Sequence, residues 1–234
     1  MAPLDPAPQA GDPRVIARPL VVLGGGEHAR VVIEAASSVP GAWQVAGLTD
    51  PRPSERTVQV TGVTHLGDDD AFALRYGALE PAQRPLLVLG MGLPAGAAIR
   101  RKLASRFGSD LAWATIVHRD ASVSPSASVG PGSVILAGAV ISAGAAIGRH
   151  AIVNTAAVVE HDVLVGDRAH IGPGAVLGGG AIVGPDAFVG LGALVRDHVT
   201  IGAGATVGMG AVVVADVPED ATVMGNPARV RDDG

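Results

Sequence analysis

The chain has no cysteine in its 234 residues. That absence excludes structural disulfides, Cys₄-type metal sites and any covalent acyl-cysteine intermediate. Aromatic residues make up 3% of the chain and charged residues 17%. The net charge of −5 gives no electrostatic reason to bind nucleic acid. No apolar run reaches the roughly twenty residues needed to span a bilayer, so no membrane insertion is expected. The first residues are rich in Pro and Ala and carry Asp5 and Asp12. They lack the basic start and apolar core of a secretory signal. Residues 1–18 read as a disordered tail, and a cytoplasmic location is expected.

What the chain does have is a ladder. Val123, Val129, Ile135, Ile141, Ile147, Val153, Val159, Val165, Ile171, Leu177, Val183, Val189, Val195, Ile201, Val207 and Val213 recur at every sixth position. Two residues before each rung stands Ala or Ser, with Val163 and Val199 the exceptions. A fixed short period marks a solenoid in which each repeat buries its apolar face on its neighbours. Six is too long for a helical face and for simple strand alternation, so the chain must turn a corner once per repeat. Gly follows many rungs, as at Gly148, Gly166, Gly184 and Gly202, and Pro sits at other corners. Three corners per coil give a triangular prism of about eighteen residues per coil. Its narrow interior takes one branched and one small residue per side, which accounts for the lack of aromatics.

Residues 19–112 have another rhythm. Apolar strands at Leu20–Leu23, Val45–Leu48 and Leu86–Leu89 alternate with helical stretches ending near Ser38, at Asp68–Tyr76 and at Pro94–Phe107. That alternation predicts a small parallel α/β sheet. The expected organisation is a tail over 1–18, an α/β domain over 19–112, a β-helix over 113–216 and a C-terminal tail over 217–234. The turn Gly24-Gly25-Gly26-Glu27-His28-Ala29 lies between strand and helix, where backbone N–H groups can cradle phosphate. Asp50 ends the second strand, where a ribose-binding carboxylate would sit. A tight turn without a ligand is the alternative. Fewer than 100 residues are too few for two mononucleotide halves, which argues against an NAD domain.

On the prism, the segment Asn154-Thr155-Ala156-Ala157-Val158-Val159-Glu160-His161-Asp162 breaks the Ala/Gly/Val code. His161 falls two residues after a rung, so it sits on a corner and points outward, with Asp162 beside it. A carboxylate that fixes one imidazole tautomer makes a general base. A solvated turn histidine is the alternative. One coil above lies Gly179, about 4.8 Å away by strand spacing, where a backbone N–H could meet an oxyanion. His161, His170 and His198 lack the close pairing expected of a zinc site, so no metal is expected. The outward column Val140, Val158, Val176, Leu194 and Val212 is apolar throughout and should be covered. A partner subunit in a homotrimer of parallel prisms is the simplest cover.

From about residue 19 onward the chain resembles the bacterial sugar O-/N-acyltransferases that join a small Rossmann-like α/β domain to a left-handed parallel β-helix of hexapeptide repeats. These are of the sialic acid O-acetyltransferase and bacillosamine and perosamine N-acetyltransferase type. The matching segments are Gly24 to Ala29, Leu89-Gly90 with Arg100-Arg101-Lys102, Asn154-Thr155 through Glu160-His161-Asp162, His170, and Met224 to Arg229. The resemblance implies a left-handed helix, acetyl-CoA as co-substrate bound between adjacent prisms of a trimer, and a nucleotide-linked amino-sugar as acceptor. It implies His161 as base and Asp162 as its orienter. It implies acetyl-CoA contacts at His170, Gly179, Leu191 and Met209, and substrate contacts at Gly24, Gly25, Gly26, His28, Asp50, Gly90 and Asn154. Glu27 departs from the pattern, since a small residue is expected there. O-acetylation of a sugar such as sialic acid, a non-catalytic scaffold and zinc-dependent hydration are the competing expectations.

Overall fold

A computed structural model describes residues 17–53, 55–92, 96–108 and 113–231. Most of the expected N-terminal tail, residues 1–16, lies outside them. Three parallel strands, β1 (Arg18–Leu23), β2 (Trp43–Thr49) and β3 (Leu86–Leu89), pair in the order β2-β1-β3. Helix α1 (Glu27–Ser37) follows the glycine turn, α3 (Asp69–Ala78) starts at the side-chain cap Asp68, and α4 (Ala97–Phe107) follows β3. A further helix, α2 (Glu55–Thr61), has no counterpart in the sequence reading. Its Pro-flanked, Thr- and Val-rich sequence carries a weak helical signal. It is tied down by tertiary contact, with Thr57 Oγ1 donating to the Gly26 carbonyl.

The prism has the three faces that the period requires. The first carries Val134–Ile135, Ile152–Val153, His170–Ile171, Phe188–Val189 and Thr206–Val207. The second carries Val140–Ile141, Val158–Val159, Val176–Leu177, Leu194–Val195 and Val212–Val213. The third carries Ala146–Ile147, Leu164–Val165, Ile182–Val183 and Thr200–Ile201. Register partners such as Ile152 and His170, or Val158 and Val176, differ by eighteen residues. Every rung from Val129 to Val213 is buried, with the small residues beside them, in one continuous core. Coils stack so closely that some corners admit only glycine. A β-carbon at Gly184 would lie 2.5 Å from the Ala203 backbone nitrogen.

Past Val213 the register tightens: Ile201 bridges Val217 and Thr206 pairs with Thr222, sixteen residues on. The segment read as a tail thus adds a strand, Thr222–Met224, to the first face, and Arg229–Val230 folds back on it antiparallel. The first face is covered by the chain itself. Ala29, Val32, Ile33 and Ala36 of α1 pack with Leu20, Val22 and Val88 of the sheet and with Ile116, Val134 and Leu136 of the prism in one cluster. Helix α1 therefore presses the glycine turn against the first face, and this docking sets up the site.

Candidate functional site

The corner between the second and third faces carries His161 and Asp162. Asp162 takes φ 59°, in the left-handed region that Gly144 and Gly180 fill on the coils below and above. A side chain there costs about 1 kcal/mol that glycine avoids. The turn aims its carboxylate at the ring, and His161 Nδ1 lies 3.0 Å from Asp162 Oδ2. Both side chains are exposed, at 62% and 73%. With the Nδ1 proton donated to Asp162, the lone pair lies on Nε2, which has no protein partner among the described residues. The ring lies over Gly179, where a β-carbon would come within 2.5 Å of Nε2. The Gly179 N–H donates to no acceptor among the described residues. An imidazole, a carboxylate hydrogen-bonded to it and an unused N–H therefore meet on one open corner.

The corner between the first and second faces carries a second set. Asn154 lies on it, with Leu191 two coils above and Met209 three. Leu191 is 58% and Met209 80% exposed. These are apolar side chains of consecutive coils held out in water. Asn154 Nδ2 is 3.0 Å from His170 Nε2, so a neutral His170 accepts there. His170 is buried under the α/β domain, its ring 6.0 Å from that of His28 and 5.3 Å from that of Phe188. It thus groups with His28, Gly92 and Asn154, apart from the exposed Leu191 and Met209. The chain does not bring its own His161 to this edge, because the whole second face intervenes.

The glycine turn differs in detail from a bare phosphate cradle. Asp50 Oδ2 accepts the Gly25 N–H at 2.8 Å and Oδ1 accepts the Arg52 N–H at 2.7 Å, so the carboxylate itself closes the turn. Gly24 holds φ 104° against Met91. Gly90 has no space for a β-carbon, meeting Val22, the Gly24 carbonyl and Ala29 within 3.0 Å, so it serves packing. Gly26, by contrast, faces open space at the start of α1. Glu27, the departure from the family pattern, extends into solvent beside Arg30. Among the described residues no group of three or more His, Asp or Glu is placed to hold a metal ion, and no helix is long and apolar enough to cross a membrane.

Three residues to which the sequence reading gave no role, Arg100, His150 and Trp113, lie close together. Arg100 is buried, as are His150 and Trp113, whose rings meet edge-on at 4.5 Å. Arg100 sits on the same helical face as Leu103 and Phe107, at the i, i+3, i+7 spacing that would have marked it as inward. Burial, with nearby Arg100 as the next cause, holds His28 and His150 down to about 4. His170 is held to about 3 by burial first, then by His28 and Arg100. The usual value is 6.5, so the unfolded chain takes up these protons first as pH falls. Their contribution to stability is full above about 6.5 and is lost progressively down to about 3. Thermal unfolding followed by circular dichroism should give a lower Tm at pH 5 than at pH 7, with a smaller drop in His150→Gln. Equal Tm values at both pH values would count against this account.

Comparison with solved structures places this arrangement among known proteins. Perosamine N-acetyltransferase from Caulobacter crescentus, as a histidine-to-asparagine variant in complex with CoA and GDP-perosamine, is 38% identical, with a TM-score of 0.79, over 92% of this chain and 97% of its own. The acetyltransferase domain of PglB from Neisseria gonorrhoeae, in complex with acetyl coenzyme A, is also 38% identical, with a TM-score of 0.80, over 92% and 100% of the two chains. WeeI from Acinetobacter baumannii, 23% identical with a TM-score of 0.68, covers 91% of this chain and 99% of its own, a likeness of fold alone. No protein-family model matches the chain, and neither does any curated protein.

Proposed function

The chain belongs to the sugar N-acyltransferases built on a left-handed β-helix, and we propose that it moves the acetyl group of acetyl-CoA onto the amine of a nucleotide-linked amino-sugar. The observation that carries this reading is the His161–Asp162 pair on an open corner against Gly179, in a chain so similar to enzymes solved with CoA and GDP-perosamine. The amine nitrogen attacks the thioester carbonyl carbon, and its proton passes to His161 Nε2. The carbonyl oxygen becomes an oxyanion beside the Gly179 N–H. Collapse breaks the carbon–sulfur bond, and the CoA thiolate leaves with the proton returned from His161. Asp162 stabilises the imidazolium in between.

The two half-sites lie on different corners of one prism, so a complete site needs a second chain. A homotrimer of parallel prisms supplies it, with His161 of one chain facing the Asn154, Leu191 and Met209 edge of the next. The exposed apolar pair Leu191 and Met209 suits the pantetheine arm of acetyl-CoA. The open start of α1 at Gly26 suits the diphosphate, with His28 and Asn154 toward the sugar. Acetyl-CoA and nucleotide sugars are both made in the cytoplasm, which is where the reaction belongs. Thiol release should be measured with acetyl-CoA against UDP- and GDP-linked 4-amino-sugars, the matching hydroxy-sugars and free sialic acid. Turnover confined to the amines supports the proposal. Turnover with hydroxyl acceptors alone would make the enzyme an O-acetyltransferase, and no release with any acceptor would make the prism a scaffold.

A further inference from the structure

Arg100 is 1% exposed, and burying a guanidinium costs several kcal/mol unless it is well paired. Among the described residues no carboxylate bonds it directly. The nearby Asp186 is taken by Nε and Nη2 of Arg168, at 2.9 and 3.0 Å, and by Arg101 at 3.6 Å. Arg100 instead bonds two backbone carbonyls from the two halves of the molecule. Nη1 donates to Met91 at 2.5 Å, and Nη2 donates to His150 on the prism corner between the third and first faces. Its Nε has no partner among the described residues. Met91 lies in the turn Gly90-Met91-Gly92. Its methyl group rests on Gly24, and Gly92 lies against His170 and His28. One planar fork thus ties the loop beside the glycine turn to the prism. An apolar residue would fill the space at lower cost. Lysine offers a point charge without the fixed fork that meets two carbonyls at once. A local rule broken at a cost, without an evident gain in stability, marks a functional constraint.

We propose that Arg100 is a positioning residue for the acceptor: it fixes the Gly90–Gly92 turn on the prism, so that the sugar-nucleotide half of the site stays in register with the transfer half. This rests on the N-acetyltransferase reading above. The buried charge also helps keep His28 and His170 neutral, and the neutral His170 ring accepts from Asn154 Nδ2 through Nε2 at 3.0 Å.

Steady-state kinetics of Arg100→Lys and Arg100→Ala beside the wild type test the inference. Losing one charged hydrogen bond should raise KM for the nucleotide amino-sugar on the order of tenfold or more. KM for acetyl-CoA should stay unchanged, since Leu191 and Met209 sit two and three coils above His150. Added guanidinium ion at millimolar concentration should restore the acceptor KM of Arg100→Ala, and methylammonium should not. A purely structural role would raise both KM values together, or neither, and would not respond to guanidinium; any of these results overturns the inference. If Arg100→Ala does not fold, the split between the two KM values in Arg100→Lys decides alone. Wild-type turnover with an unchanged acceptor KM in Arg100→Lys removes this inference and leaves the function standing. A wild type inactive on every amino-sugar removes both.

Discussion

Replacing His161 with alanine should lower kcat by about 10²–10⁴-fold, the usual worth of a positioned general base, and leave the affinity for acetyl-CoA as it was. The protonated amine of an amino-sugar is not a nucleophile, and its neutral form must still shed a proton as the tetrahedral intermediate forms. Nε2 is the only ring nitrogen free to take it, because Nδ1 is held by Asp162 at 3.0 Å. Leu191 and Met209, the proposed cofactor contacts, stand on another corner, so removing the ring should not disturb them. Asp162→Asn should show a smaller loss, since the amide still fills the turn but offers the ring a weaker and differently directed partner. Calorimetric titration of acetyl-CoA beside stopped-time kinetics separates the two effects. Near-normal turnover in His161→Ala would reject the base, and a matching loss of acetyl-CoA binding would mean that the ring holds the cofactor instead.

Two inactive variants should recover activity when they share an oligomer. His161→Ala keeps the Asn154, Leu191 and Met209 edge, and a Leu191→Asp/Met209→Asp double variant keeps the His161 corner. Both carboxylates of the double variant lie on an exposed corner, so the prism core is untouched while the apolar cofactor edge is lost. If each site takes its base from one chain and its cofactor edge from the next, mixed oligomers contain some whole sites and turnover returns after co-expression. If each chain carried a complete site, every site in the mixture would lack one half. Co-purification through two different tags, with mass by light scattering, verifies that mixed oligomers formed. Absence of turnover in such a sample, or a monomeric wild type, would sink the shared-site arrangement.

The place of His161 was legible in the sequence because the ladder is rigid. A rung at Val159 places His161 on a corner and pairs it with Gly179 eighteen residues on, and the coordinates put the ring on that glycine. Asp162 was legible because it adjoins His161 in the chain on the same corner. His170 was harder. Its place before a rung marked it as outward-facing, but outward on the first face means under the α/β domain, and the hexapeptide pattern says nothing of what lies on that face. Asp50 follows the second strand as expected, and its carboxylate also closes the Gly25 turn, a contact that the spacing did not show.

The sequence by itself determined the prism, its three faces, the corner of every residue from Val123 to Val213, and the alternating sheet ahead of it. It could do so because a repeat buries the same face each time and each coil interacts with its nearest neighbours. Only the tertiary structure decided which face the α/β domain covers, that His28 meets His170 there, and that Arg100 spans two carbonyls fifty-nine residues apart in the chain. Those contacts join segments with no shared period. Their cost and gain depend on burial and on the exact meeting of two surfaces, and neither is written in the spacing of residues along either one.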